Sequence, residues 1–113
     1  PILCGEATRA AVPDLVWREI DRVRVKGRAS AVAIFEPLAE AGDAPAQARA
    51  SRWEAALALY HARRFDEARA AFGAIAQGGP DRALATLFAA RCTAFAATPP
   101  AQDWDGAWSF LDK

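Results

Sequence analysis

Apolar and charged positions alternate through residues 22–26, at the end of a stretch from Val16 that reads as extended. Val23 and Val25 fall on one side of an extended chain, and Arg22, Arg24 and Lys26 on the other, joined by Arg28 if the strand continues. That period of two predicts a long strand. A turn is expected at Gly27, Arg28, Ala29 and Ser30, and a partner strand over residues 31–35. Ahead of this hairpin, Ile2-Leu3-Cys4 is a short strand candidate. Residues 6–12 suit a short helix that stops before Pro13, because a residue preceding proline is pushed out of helical geometry.

Beyond residue 43 the period lengthens. Trp53, Ala56, Leu57 and Tyr60 recur at i, i+3, i+4 and i+7, which predicts a helix over residues 43–63 capped by Asp43. A second helix is expected over residues 65–77, with Phe65, Ala68, Phe72 and Ile75 on its stripe and Gly78-Gly79-Pro80 as its stop. Asp81 is placed to cap a third, with Leu84, Leu87, Phe88, Cys92 and Phe95 inward, stopped at Thr98-Pro99-Pro100. Trp104, Trp108 and Leu111 have the spacing of a short terminal helix.

Composition follows the same division. β-Branched residues gather before residue 38, and alanine dominates after it, as side-chain crowding favours for strands and helices respectively. The expected fold class is α+β: a short β-hairpin segment in residues 1–38, then an all-α tail in residues 39–113. The joint is at Glu36-Pro37-Leu38 through Asp43, where Pro37 and Gly42 punctuate. Lys+Arg and Asp+Glu are both 14, so the net charge is zero. A polybasic nucleic-acid or membrane protein is thereby disfavoured, and no apolar run is long enough to span a bilayer. Two cysteines, Cys4 and Cys92, are too few for a disulfide scaffold and suit a reducing, cytoplasmic setting; Cys92 is expected as buried filler. His61, the single histidine, has no second ligand nearby and is expected at the surface. The chain has no Met and opens on Pro1, so a piece of a longer or processed protein is expected.

In the helical part, Trp53, Tyr60, Phe65, Ala68, Phe72, Ile75 and Pro80 have spacings that resemble the tetratricopeptide repeat. The turn at Arg63-Arg64 is one residue short of that pattern. Ala68 is the small residue that lets two helices approach closely. About three repeats are needed for a concave binding groove, so one repeat is better explained as a hairpin that packs on its own neighbour.

Three runs carry a second resemblance: Ile2-Leu3-Cys4-Gly5-Glu6-Ala7-Thr8, Ile20-Asp21-Arg22-Val23-Arg24-Val25-Lys26-Gly27-Arg28, and Val32-Ala33-Ile34-Phe35-Glu36-Pro37-Leu38. They resemble the C-terminal end of the class III adenylate/guanylate cyclase catalytic domain, a ferredoxin-like fold. The later residues are similar to the tetratricopeptide-like tail of some bacterial members, with Pro99-Pro100 and then Asp103-Trp104-Asp105-Gly106. The resemblance implies a parent enzyme that converts ATP to 3′,5′-cyclic AMP and pyrophosphate in signal transduction, and that works as a homodimer. It implies that Lys26, in the Val-Lys-Gly run, contacts the nucleotide phosphates; no family role carries over to Arg24 or Arg28. It implies two Mg2+ or Mn2+ ions in the parent. Their paired Asp ligands, the adenine-reading Lys and Asp, and the transition-state Asn and Arg all belong to motifs absent from this sequence. Asp14 and Asp21 do not match those positions. The fragment alone is therefore expected to hold no cofactor and to be inactive, and adenine against guanine stays open.

The competing reading is a non-enzymatic helical protein-protein interaction module with the hairpin as an appendage. A nucleic-acid binder using the Arg22-Arg24-Lys26-Arg28 face is weaker, because Trp17 is the one aromatic residue within that strand. A two-stranded hairpin is marginal by itself, so it should dock on the helices or self-associate through an exposed edge.

Overall fold

The structure, a computed structural model, describes residues 2–24 and 30–108. Its element order is α1 (Glu6–Ala11), β1 (Leu15–Val23), β2 (Val32–Glu40), α2 (Ala44–His61), α3 (Phe65–Ile75) and α4 (Arg82–Ala97). The class is α+β: a two-stranded antiparallel sheet with four helices among the described residues. The chain forms two compact units, Pro1–Glu54 with Asp105–Lys113, and Ala55–Trp104.

In the first unit, β1 and β2 pair from Leu15↔Glu40 to Val23↔Val32. Two register shifts interrupt the ladder, between Val16 and Trp17 and between Glu19 and Asp21. The first skips Leu38 on β2 and the second skips Ile20 on β1, so the two slips cancel and the strand ends stay in register. The first shift also explains how β2 continues past Pro37, where the sequence suggests a joint. Pro37 pairs with Trp17 beside the irregularity, and a residue without an N–H is tolerated there. Residues 2–4 make one bridge, with Cys4 and Phe35 exchanging both backbone bonds at 2.8 and 2.7 Å, rather than a strand.

Each face of this small sheet has a cover. The Arg9 guanidinium of α1 lies 4.8 Å from the centre of the Phe35 ring. Trp17 donates its indole N–H to the Val12 carbonyl at 2.7 Å. On α2, Trp53 is fully buried, with the Arg18 guanidinium 5.1 Å from its ring centre. The Glu54 carboxylate accepts the Glu19 backbone N–H at 2.8 Å. Asp43 caps α2 as its sequence position predicts, accepting the Ala46 N–H at 2.9 Å.

The second unit is built around Tyr60. Its ring lies within 6.4 Å, centre to centre, of Phe65, Phe72, Phe88, Phe95 and Trp104. Phe65, Ala68, Phe72 and Ile75 form the buried stripe of α3, as their spacing predicts. The α2–α3 turn closes by two backbone bonds, Arg64 N–H to Leu59 O at 3.0 Å and Arg63 N–H to Tyr60 O at 3.1 Å. This is the Schellman arrangement, with Arg63 in the left-handed region at φ 66° where glycine is usual.

Three expectations are corrected in this unit and the tail. The inward side of α4 is Ala85, Phe88, Arg91 and Cys92, while Leu87 is 48% exposed. Leu87 precedes Phe88 by one residue, and one helical step turns it away from the Phe88 side. Asp81 stands at the N-cap of α4, but its side chain makes no cap bond. Residues 101–108 form turns rather than a helix, and Gly106 takes φ 92°, which a continuing right-handed helix does not allow. Leu111 lies outside the described residues.

Candidate functional site

Lys26, for which the cyclase resemblance implies a contact with nucleotide phosphates, lies outside the described residues, as do Val25, Gly27, Arg28 and Ala29. The two strand ends that bound this stretch are described. Val23 pairs with Val32, so Arg24 and Ala31 continue from the last paired residues of the hairpin.

One carboxylate joins those two ends. Oδ2 of Asp105 accepts from Arg24 Nη2 at 2.9 Å and from the Ala31 N–H at 3.1 Å. Its other oxygen accepts the Ala107 N–H at 3.2 Å, which closes a turn over Gly106. The Asp105 carbonyl accepts from Arg22 Nη1 at 3.4 Å. Burial pushes the Asp105 carboxyl upward, but the Ala107 and Ala31 N–H bonds and the Arg24 charge outweigh it and hold it below the ordinary aspartate range.

The cationic row read from the sequence is thus partly matched by acids. Arg22 pairs with Glu19 through Nε at 2.9 Å, and its backbone N–H donates to Asp21 Oδ1 at 2.8 Å. Arg24 pairs with Asp105. Asp105 enters the sequence reading only within the Asp103-Trp104-Asp105-Gly106 run, with no site role; its local signal is the Asp-Gly step, which favours a turn that bonds its own backbone. Arg18 was also passed over. It shares the face of Val16 two residues earlier, and Glu36 stands opposite it on β2.

The cyclase resemblance implies two metal ions in the parent. Among the described residues there is no group of three or more His, Cys, Asp or Glu able to bind one, and Asp21 is turned to the Arg22 amide. The described donor set does not fit such a pair of ions. Cys92 is buried as expected. Burial pushes its thiol up to about 11, with the Arg69 and Arg91 charges offsetting only part, so it is a thiol rather than a nucleophilic thiolate at neutral pH. His61 is half-buried rather than at the surface, 6.4 Å from the Trp104 ring and 5.6 Å from Tyr60.

The helical unit has an open cleft of about 250 Å³ lined by Arg63, Phe65, Asp66, Phe95, Ala96 and Pro99. Arg63 donates to the Pro100 and Ala101 carbonyls at 2.8 Å, which turns its cation toward the chain. Among the described residues, no helix is long and apolar enough to cross a membrane. No family model, curated protein or solved structure matches this chain.

Proposed function

We propose that residues 1–38 are the closing part of a class III nucleotide cyclase catalytic domain, and that residues 39–113 are its tetratricopeptide-like tail. The whole enzyme, in this reading, converts ATP to 3′,5′-cyclic AMP and pyrophosphate. What carries the reading is the run Arg22-Val23-Arg24-Val25-Lys26-Gly27-Arg28 on the connection of an antiparallel hairpin, since β1 ends at Val23 and β2 begins at Val32. The short helix α1 ahead of the hairpin, and the Phe35-Glu36-Pro37-Leu38 run on β2, support the same order of elements.

Lys26 has a definite part in this chemistry. The ribose 3′-oxygen attacks the α-phosphorus, the bond from that phosphorus to the bridging oxygen breaks, and pyrophosphate leaves while the 3′-hydroxyl gives up its proton. Negative charge builds on the leaving group, and a fixed ammonium beside it lowers the barrier. Glycine next to the lysine lets the phosphates approach the backbone. The metal ligands and the adenine-reading residues belong to other parts of the enzyme. A cytoplasmic homodimer is part of the same proposal.

The test is cyclic nucleotide formation from ATP by the intact protein that contains this chain, compared with its Lys26→Ala variant. A loss on the order of 100-fold in kcat/KM is expected, as for removal of one electrostatic contact to developing charge. Equal rates would remove Lys26 from the site. No cyclic nucleotide from the unaltered protein would leave the helical interaction module as the better reading.

A further inference from the structure

We infer that two carboxylates, Glu54 and Asp21, close the outer edge of β1 and keep a second copy of this chain from pairing its own β1 there. Glu54 accepts the Glu19 backbone N–H at 2.8 Å, and Asp21 Oδ1 accepts the Arg22 backbone N–H at 2.8 Å. The inference is independent of the nucleotide reading.

The pairing pattern fixes which way these donors point. Cys4 and Phe35 exchange both backbone bonds, so the Phe35 N–H and carbonyl face away from β1. Glu19 stands opposite Phe35, in a pair with no bonds between its members, and so turns its own N–H to the outside of the sheet. Alternation carries this along both strands. Pro37 and Ala33 also face away from β1, and their partners Trp17 and Arg22 face outward. The extra residue at the second register shift, Ile20, sets the outward positions Glu19 and Arg22 three apart. Outward N–H groups on a sheet edge are a template for another strand. On β2 that edge is taken at Phe35 by Cys4. On β1, between Trp17 and Val23, two of the three outward N–H groups end on a carboxylate. An incoming strand would have to displace a charged acceptor, which holds an N–H more strongly than a neutral carbonyl does. A ladder started at Trp17 meets Glu19 at its next bond. Asp21 bonds the residue that follows it, whereas Glu54 reaches back from α2 across 35 residues of chain. Trp53, its neighbour on α2, is fully buried and fixes that turn of the helix. Pairing β1 with the β1 of a second copy brings the guarding carboxylates of both copies to one seam, and like charges facing each other oppose it.

The experiment is sedimentation velocity of the unaltered chain, the Asp21→Ala/Glu54→Ala double variant and the Asp21→Asn/Glu54→Gln double variant. Amide hydrogen exchange at Glu19 and Arg22 is followed at low and high protein concentration. The alanine variant should self-associate at least about tenfold more tightly than the unaltered chain. The amide variant, which keeps an acceptor oxygen at each position but loses both charges, should fall between them. In the alanine variant the Glu19 and Arg22 amides should exchange fast when dilute and slowly when concentrated, because a partner strand then covers them. In the unaltered chain both should exchange slowly at every concentration. Adding Glu19→Pro to Glu54→Ala removes the donor itself, which an edge strand tolerates, and should abolish the gain that Glu54→Ala brings. An alanine variant that associates no more tightly than the unaltered chain would overturn the inference. So would tighter association that leaves both amides fast at high concentration, which places the contact elsewhere. If the alanine variant fails to fold, equal association of the amide variant and the unaltered chain overturns it, as does fast exchange of both amides in the unaltered chain.

Discussion

The Arg18 guanidinium donates twice to one oxygen of Glu36, from Nε at 3.1 Å and from Nη2 at 2.7 Å, directly across the two strands. Arg18 is 2% exposed and its partner 13%, so this pair is largely withdrawn from water. Trp53 lies against the guanidinium. Removing one member of such a pair leaves the other charge buried and unmatched, which costs about 3–5 kcal/mol. Replacing both by apolar residues of similar volume avoids that cost. Glu36→Ala should therefore lower stability to urea far more than the Arg18→Met/Glu36→Leu double variant does. A single variant within about 0.5 kcal/mol of the unaltered chain, as at an ordinary surface site, would contradict this account.

Arg63 closes the α2–α3 turn with a left-handed backbone, which costs about 1–2 kcal/mol for a residue carrying a Cβ. Its side chain compensates by donating to the Pro100 and Ala101 carbonyls. Arg63→Ala keeps the unfavourable backbone and discards both bonds. Arg63→Gly discards the bonds but relieves the backbone. The glycine variant should be the more stable of the two, by about 1 kcal/mol in chemical unfolding. The reverse order would show that the turn does not need the left-handed conformation.

Asp105 titrates below the ordinary aspartate range in the folded chain. A depressed folded value means that the unfolded state takes up its proton first as pH falls. The contribution to stability is then fully present above the unfolded aspartate value near about 4, and is lost as pH falls through the lower folded value. Urea unfolding of the unaltered chain and Asp105→Asn should differ at pH 7 and converge toward pH 2–3. A difference that stays constant down to that range would separate the stabilisation from the Asp105 charge.

The hairpin and the three longer helices are legible from periodicity, and the short α1 helix from the proline that stops it, because each depends on neighbours a few residues away. Asp43 was legible as a cap for the same reason: its partner is Ala46, three residues on. The end of β2 was not, because Pro37 signals a break in isolation and only the register slip beside Trp17 accommodates it. The terminal tryptophans were misread as a helix because their spacing is helical, whereas Gly106 turns the chain and Trp104 is held by the Tyr60, Phe65 and Phe95 rings. The stripe of α4 was drawn one position too wide at Leu87, since leucine is apolar wherever it stands.

Of the candidate site, the sequence alone determined the cationic run; it put Arg22, Arg24 and Lys26 on the strand itself, whereas β1 ends at Val23 and Arg24 lies beyond it. Alternation and a Lys-Gly step are properties of adjacent residues. It also determined the aromatic stripe that converges on Tyr60. Only the tertiary structure decided that Arg18 is buried against Trp53 and Glu36, and that Asp105 ties Arg24 to Ala31. Those contacts join residues 18, 81 and 74 positions apart, and no local pattern fixes which distant acid a given arginine meets. Burial made the difference. An arginine in a strand reads as a solvated charge until a second layer covers it, and the covering helix enters only when the chain folds back on itself.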